Sequence, residues 1–143
     1  MTEERFRGIL EGRLPPPPVA DLVGITLTAL DDGRATFELE AEERHSSPLG
    51  TLQGGILCVL ADAAMGAAYA TRLGDGESFA TLELKMNYLK PVWSGRVVAT
   101  GEVVKAGRTI GLVECRIVDA GGSLVAHSTS TCMTLRGDQA AGR

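Results

Sequence analysis

Metal-site residues are scarce in this chain of 143 residues, which has two histidines, three widely spaced cysteines and no paired-cysteine motif. A zinc site built by the protein is therefore not expected. Basic blocks are missing as well, and a net charge of −4 leaves no electrostatic footprint for nucleic acid. The run Met1-Thr-Glu-Glu-Arg5 is charged and lacks the apolar centre of a signal peptide, so a reducing cytoplasm is the expected location. The odd number of cysteines (Cys58, Cys115 and Cys132) fits reduced thiols in the core. Charge itself disappears between Arg44 and Arg72, where Asp62 is the one acid and no Lys or Arg occurs. That stretch is long enough to cross a bilayer. Its Ala and Gly content after Gly54, with Asp62 near the middle, instead favours a buried helix in a soluble protein.

What is present describes one domain. Hydrophobic residues make up 44% and charged residues 22%, enough for a single core and too apolar for disorder. Phe6, Ile9 and Leu10 fall at helical spacing within residues 3–12, and Pro15 to Pro18 then impose an extended, stiff connection. Alternating runs at 23–30 and 34–40 flank the turn Asp31-Asp32-Gly33, with Ala35, Phe37 and Leu39 sharing one face. A loop over 45–51 leads to a helix spanning roughly 54–72, which the glycines of Gly74-Asp75-Gly76 are expected to end. Four strands follow at 79–89, 95–105, 108–119 and 123–135. The economical solution is an α+β fold, a six-stranded antiparallel sheet wrapped around one long central helix. Its expected parts are an N-terminal helix and proline connection (1–19), the main domain (20–136) and a flexible tail (137–143).

Asp62 is the residue that asks for a role. A lone acid in an apolar helix is costly to desolvate and is seldom kept without a partner or a chemical task. The pair Gly54-Gly55, eight residues earlier, can present backbone N–H groups at the helix start, where developing negative charge is stabilised. Eight helical residues rise about 12 Å. The Asp62 side chain therefore cannot reach a carbonyl held at Gly54 of its own chain, and the two groups converge only if a second chain supplies one of them. His45 in the loop is expected to be solvated, His127 lies in a strand with no acid near it in sequence, and neither is chosen as catalytic.

Three segments, His45-Ser-Ser-Pro48-Leu-Gly50-Thr-Leu-Gln53-Gly54-Gly55, Leu60-Ala-Asp62-Ala-Ala-Met-Gly66 and Thr81-Leu-Glu-Leu-Lys-Met-Asn-Tyr88-Leu-Lys-Pro91, resemble the hotdog-fold acyl-CoA thioesterases. The branch is the phenylacetate-degradation and 4-hydroxybenzoyl-CoA type. Gly107-Arg108 and Gly121 to Ala126 fit the same pattern, and the likeness covers residues 20–135. It implies hydrolysis of an acyl- or aryl-CoA to the free acid and coenzyme A, which enters as part of the substrate with no separate cofactor or metal. It also implies Asp62 as nucleophile or general base, Gly54 N–H on the thioester oxygen, Thr81 assisting the water or carboxylate, and active sites shared in a homodimer, with dimers pairing into tetramers.

Two positions depart from the pattern: the usual His before Gly-Gly is Gln53, and the usual Asn or Gln six residues earlier is Ser47. Gln53 cannot titrate near neutrality and Ser47 has a shorter reach. Either residue can serve the loop or contact substrate beside Gly55. Lys85, Lys90, Arg96, Lys105 and Arg108 are candidates for the coenzyme A phosphates, Arg108 foremost for its exposed turn, and each serves equally as a charged guard of a strand edge. The rival from another class is a hotdog protein that binds acyl-CoA without hydrolysing it. A hydratase on the same fold is a third and less favoured reading, because this chain has no Asp and His pair at suitable spacing on the helix.

Overall fold

The computed structural model describes residues 2–142. Helix α1 (Thr2–Leu10) opens with Glu3 and Glu4 in its first turn and Arg7 in its last, the charge order that suits a helix dipole, and Arg7 pairs with Glu3 at 2.6 Å. The proline run does not stay extended to its end. Pro18 starts a second helix, α2 (Pro18–Val23), because a proline at the first helical position gives up an N–H that has no intrahelical partner anyway. Gly24, at φ 85°, closes it.

Strands β1 (Ile25–Asp31) and β2 (Arg34–Ala41) form the expected hairpin, with Ala35, Phe37, Leu39 and Ala41 facing inward. The long helix α3 (Gly54–Ala70) follows, then β3 (Ser78–Tyr88), β4 (Gly95–Ala106), β5 (Ile110–Asp119) and β6 (Leu124–Leu135). All strand pairs are antiparallel and the order across the sheet is β1-β2-β4-β5-β6-β3. This six-stranded sheet wrapped around one helix is the hotdog architecture that the resemblance implies. A single 3-10 turn, Gly137–Gln139, follows the last strand.

Small residues set how closely α3 lies on the sheet. Leu60, Ala61, Ala64, Met65, Ala67 and Ala68 are fully buried, and β4 meets them with Gly101. A Cβ at Gly101 would stand 2.6 Å from the backbone of Ala64, so only glycine permits this approach. The end of α3 differs from the expected glycine cap. Thr71 caps it instead, its hydroxyl donating to Ala68 O at 2.7 Å and accepting from Gly33 N–H at 2.7 Å. That threonine ties the helix end to the β1–β2 turn, and Arg72 adds an ion pair to Asp32 at 3.0 Å.

One irregularity decides what the edge strand shows to the helix. In β3 a bulge between Thr81 and Glu83 resets the alternation against β6. Phe79 and Thr81 face α3 before it, and Leu84 and Tyr88 face α3 after it.

Candidate active site

Because β3 runs antiparallel to α3, the site reads as rungs along one helix face. Phe79 lies against Gly66, Thr81 meets Asp62, Leu84 stands beside Cys58 and Val59, and Tyr88 covers Gly54. The Thr81 hydroxyl donates to Asp62 Oδ1 at 3.0 Å, which holds the carboxylate against the edge strand. Around them Cys58, Val59 and Leu84 complete an open, largely apolar depression of about 310 Å³. Asp62 is exposed on the single chain, not buried as an isolated acid in an apolar helix had suggested. Its helix is apolar because the opposite face fills the core, while Asp62 occupies the stripe left open between β3 and α1.

At the other end, Gln53 precedes α3 without capping it through its side chain. The N–H groups of Gly54 and Gly55 belong to the first helical turn and have no intrahelical acceptor. Tyr88 lies over this start: its hydroxyl donates to Gly54 O at 2.9 Å and sits 3.3 Å from the Cys58 thiol. A Cβ on Gly54 would meet the Tyr88 ring at 2.8 Å, so the absence of a side chain there makes room for the tyrosine. Burial, then the contact with Cys58, pushes the Tyr88 phenol up to about 12, so it stays a neutral donor through the physiological range. Tyr88 and Leu57 also line a second hollow of about 440 Å³ with Thr51, Leu52 and Pro91.

The thioesterase superfamily model matches residues 49–126, which hold Gly54, Asp62, Thr81 and Tyr88. The chain belongs to the thioesterase superfamily. A 1,4-dihydroxy-2-naphthoyl-CoA hydrolase of Listeria monocytogenes is 31% identical to this thioesterase over 111 residues, 78% of this chain and 90% of that protein. Human acyl-coenzyme A thioesterase 13 is 30% identical over 111 residues, 75% of this chain and 77% of the relative. Among solved structures, a phenylacetic acid degradation-related protein of Ralstonia eutropha JMP134 superposes with a TM-score of 0.81 at 31% identity, covering 90% of this chain and 98% of that one.

Within one thioesterase chain the expected site residues fall into separate groups. Asp62 and Thr81 meet, while Gln53, Gly54 and Gly55 stand two helical turns away. Ser47 turns into its own loop, accepting from Leu49 N–H at 3.2 Å and lying 3.3 Å from the Thr51 hydroxyl. Arg108 stands at the C-terminal end of α3, where its carbonyl accepts from Arg136 at 2.5 Å, and it approaches neither Asp62 nor Gly54 of its own chain. Two other candidate cations are already neutralised: Lys90 by Asp119 at 2.5 Å and Arg96 by Glu38. Among the described residues no cluster of three or more His, Cys, Asp or Glu could hold a metal, and no helix is long and apolar enough to cross a membrane.

Two side chains, His45 and Cys58, differ from their sequence reading, and His127 gains a partner from a neighbouring strand. His45 is buried, with Nε2 2.6 Å from Val23 O and Nδ1 accepting from Glu42 N–H at 3.0 Å. Those two bonds require the neutral tautomer with the proton on Nε2, so His45 staples the loop before α3 to the end of α2. His127, with no acid near it in sequence, meets Glu114 of the neighbouring strand at 3.4 Å. Cys115 and Cys132 are core thiols as expected, but Cys58 is partly exposed in the depression. Tyr88 is the site residue that sequence reasoning missed. It lay within the third quoted segment, yet its facing depends on the bulge, which alternation alone does not reveal.

Proposed function

We propose that this thioesterase hydrolyses an acyl-CoA thioester to the free acid and coenzyme A in a site shared by two copies of the chain. The observation that carries the reading is the Thr81–Asp62 hydrogen bond, which orients a carboxylate into an open apolar depression on the helix that begins with Gly54-Gly55. Asp62 either attacks the thioester carbon itself or takes the proton from a water that does. The carbonyl oxygen, negative in the tetrahedral intermediate, is held by a Gly54 N–H with the helix dipole behind it. Collapse breaks the carbon–sulfur bond and the coenzyme A thiolate leaves. On the water route it takes the proton that Asp62 received. On the direct route water then opens the acyl-Asp62 anhydride, releasing the acid, freeing Asp62 and supplying that proton.

The edge strand supplies a reason for two copies. Among the described residues β3 pairs only with β6, so its outer edge of eleven residues is open. Two-fold antiparallel pairing of β3 with a second β3 about Leu84 and Lys85 sets the Thr81 end of one copy beside the Tyr88 end of the other. In that register Asp62 of one copy approaches Gly54 of the second, which closes the separation of about 12 Å within a chain. Gln53 and Gly55 then border the substrate from the second copy, with Ser47 supporting the loop. Arg108 at an exposed turn is the cation we assign to the coenzyme A phosphates, and a pair of such dimers is the expected tetramer.

A thiol-release assay with Asp62→Asn and Asp62→Ala tests the reading. Turnover across a panel of acyl-CoAs should fall about a hundredfold or more in both. Near-wild-type turnover in either variant refutes the assignment, and binding by the wild type without any thiol release establishes the non-hydrolytic rival.

A further inference from the structure

A third cavity, of about 290 Å³, lies on the far side of the Asp62 stripe beneath α1 and the proline connection. Phe6 and Ile9 of α1 form its roof, Leu27 and Phe37 of the hairpin its back, and Ala63 of α3 its floor. Ala63 follows Asp62 directly, so the cavity begins within one helical turn of the carboxylate. Val59, which lines the Asp62 depression, is the i,i+4 neighbour of Ala63, which makes the two hollows adjacent across one apolar helix stripe. Its two polar side chains, Asp21 and Thr26, belong to exposed residues.

We infer that this cavity receives the acyl group of the substrate, and that the group is an unbranched aliphatic chain of at most about ten carbons. The inference rests on the hydrolase reading above and adds its specificity. Counting each methylene as one water-sized group of about 30 Å³, a 290 Å³ cavity holds about ten of them. The apolar roof, back and floor offer no partner to a hydroxyl, so a hydroxylated aryl group would lose its hydrogen bonds on entry, whereas a hydrocarbon loses none. The α1 roof belongs to residues outside the matched family segment 49–126. Chain-length preference is thus carried by an element separate from the chemistry.

The experiment compares kcat/KM for acetyl-, hexanoyl-, decanoyl-, tetradecanoyl- and 4-hydroxybenzoyl-CoA in the wild type, Ala63→Leu and Ile9→Trp, which narrow the cavity from opposite walls. In the wild type kcat/KM should climb about fourfold per methylene and level off near decanoyl. Both variants should lower the decanoyl-to-acetyl ratio at least tenfold, with melting temperatures reporting that each is folded. A ratio unchanged in both variants, or a preference for 4-hydroxybenzoyl-CoA, overturns the inference and leaves the hydrolase reading standing. If no thioester is hydrolysed the hydrolase reading fails by itself. Calorimetric binding of decanoyl- against acetyl-CoA then decides: decanoyl binding selectively weakened in Ala63→Leu supports the cavity, and equal effects on both overturn it.

Discussion

Replacing Gly101 by alanine tests the packing that positions the carboxylate. The added Cβ would lie 2.6 Å from both C and O of Ala64 and 2.8 Å from N of Met65. Ordinary carbon contacts lie near 3.5–4.0 Å, so helix and sheet must separate by about 1 Å. These obstructing atoms are backbone, and no rotamer change moves them. Nor can α3 tilt freely, because Tyr69 OH holds Thr134 at 2.8 Å and Thr71 holds Gly33 at its far end. The upper part of the overpacking range applies, about 3 kcal/mol. For a chain of this size that should lower the melting temperature by about 9 °C. Thermal unfolding followed by circular dichroism, alongside kcat for an acyl-CoA, reads both effects. Loss of turnover at 25 °C should accompany the loss of stability, since separation pulls Asp62 from Thr81. A variant that melts within 2 °C of the wild type with full activity would refute the claim that Gly101 sets the helix height.

Two further outcomes follow from the same geometry. Thr81→Val removes a hydrogen bond to a charged acceptor at an exposed site, about 1.5 kcal/mol, so kcat should fall about tenfold with KM little changed. Thr81→Ser should restore most of it, and equal KM and kcat losses in both would point to a structural role instead. Burial pushes the Cys115 thiol up to about 12 from its ordinary value of 9.0, so the folded state favours the neutral form. Below pH 9 both states hold this proton and nothing changes. Above it the unfolded state releases the proton first, so stability should decline by about 1.4 kcal/mol per pH unit until the folded thiol also ionises. Urea unfolding at pH 8 to 10.5 should show a shallower decline in Cys115→Ala, and identical slopes would contradict the assignment.

Residues whose surroundings are local were legible in the sequence. Ala35, Phe37 and Leu39 alternate into the core as read, and Gly54 starts the long helix where the charge-free stretch indicated. Residues whose roles depend on distant partners were not. Thr71 replaces Gly74 as the helix cap because the β1–β2 turn supplies its second bond, from a segment 38 residues away. His45 is buried because Val23, 22 residues earlier, accepts from it. Asp62 reads as a buried acid when only its helix is considered, and as an exposed one once the open stripe between β3 and α1 is known. The short helix α2 followed from Pro18, whose fitness for a helix start was masked by three prolines before it.

The bulge in β3 has a consequence for how this chain tolerates change. One extra residue divides the strand into two reading phases, odd-numbered toward the helix through Thr81 and even-numbered from Leu84 onward. The acid end and the glycine end of the site therefore belong to different phases, joined at Leu82, which is left 53% exposed. Deleting Leu82 would merge the phases while shortening the chain by a single residue. Thr81 would keep Asp62, and because Glu83 already pairs with Thr131 next to the Thr81–Cys132 pair, Leu84 and Tyr88 would stay opposite Ser130 and Ala126 with their facing unchanged. The edge strand is thus held against α3 at both of its ends, by Thr81 and by Tyr88, and its one spare residue lies between those two anchors.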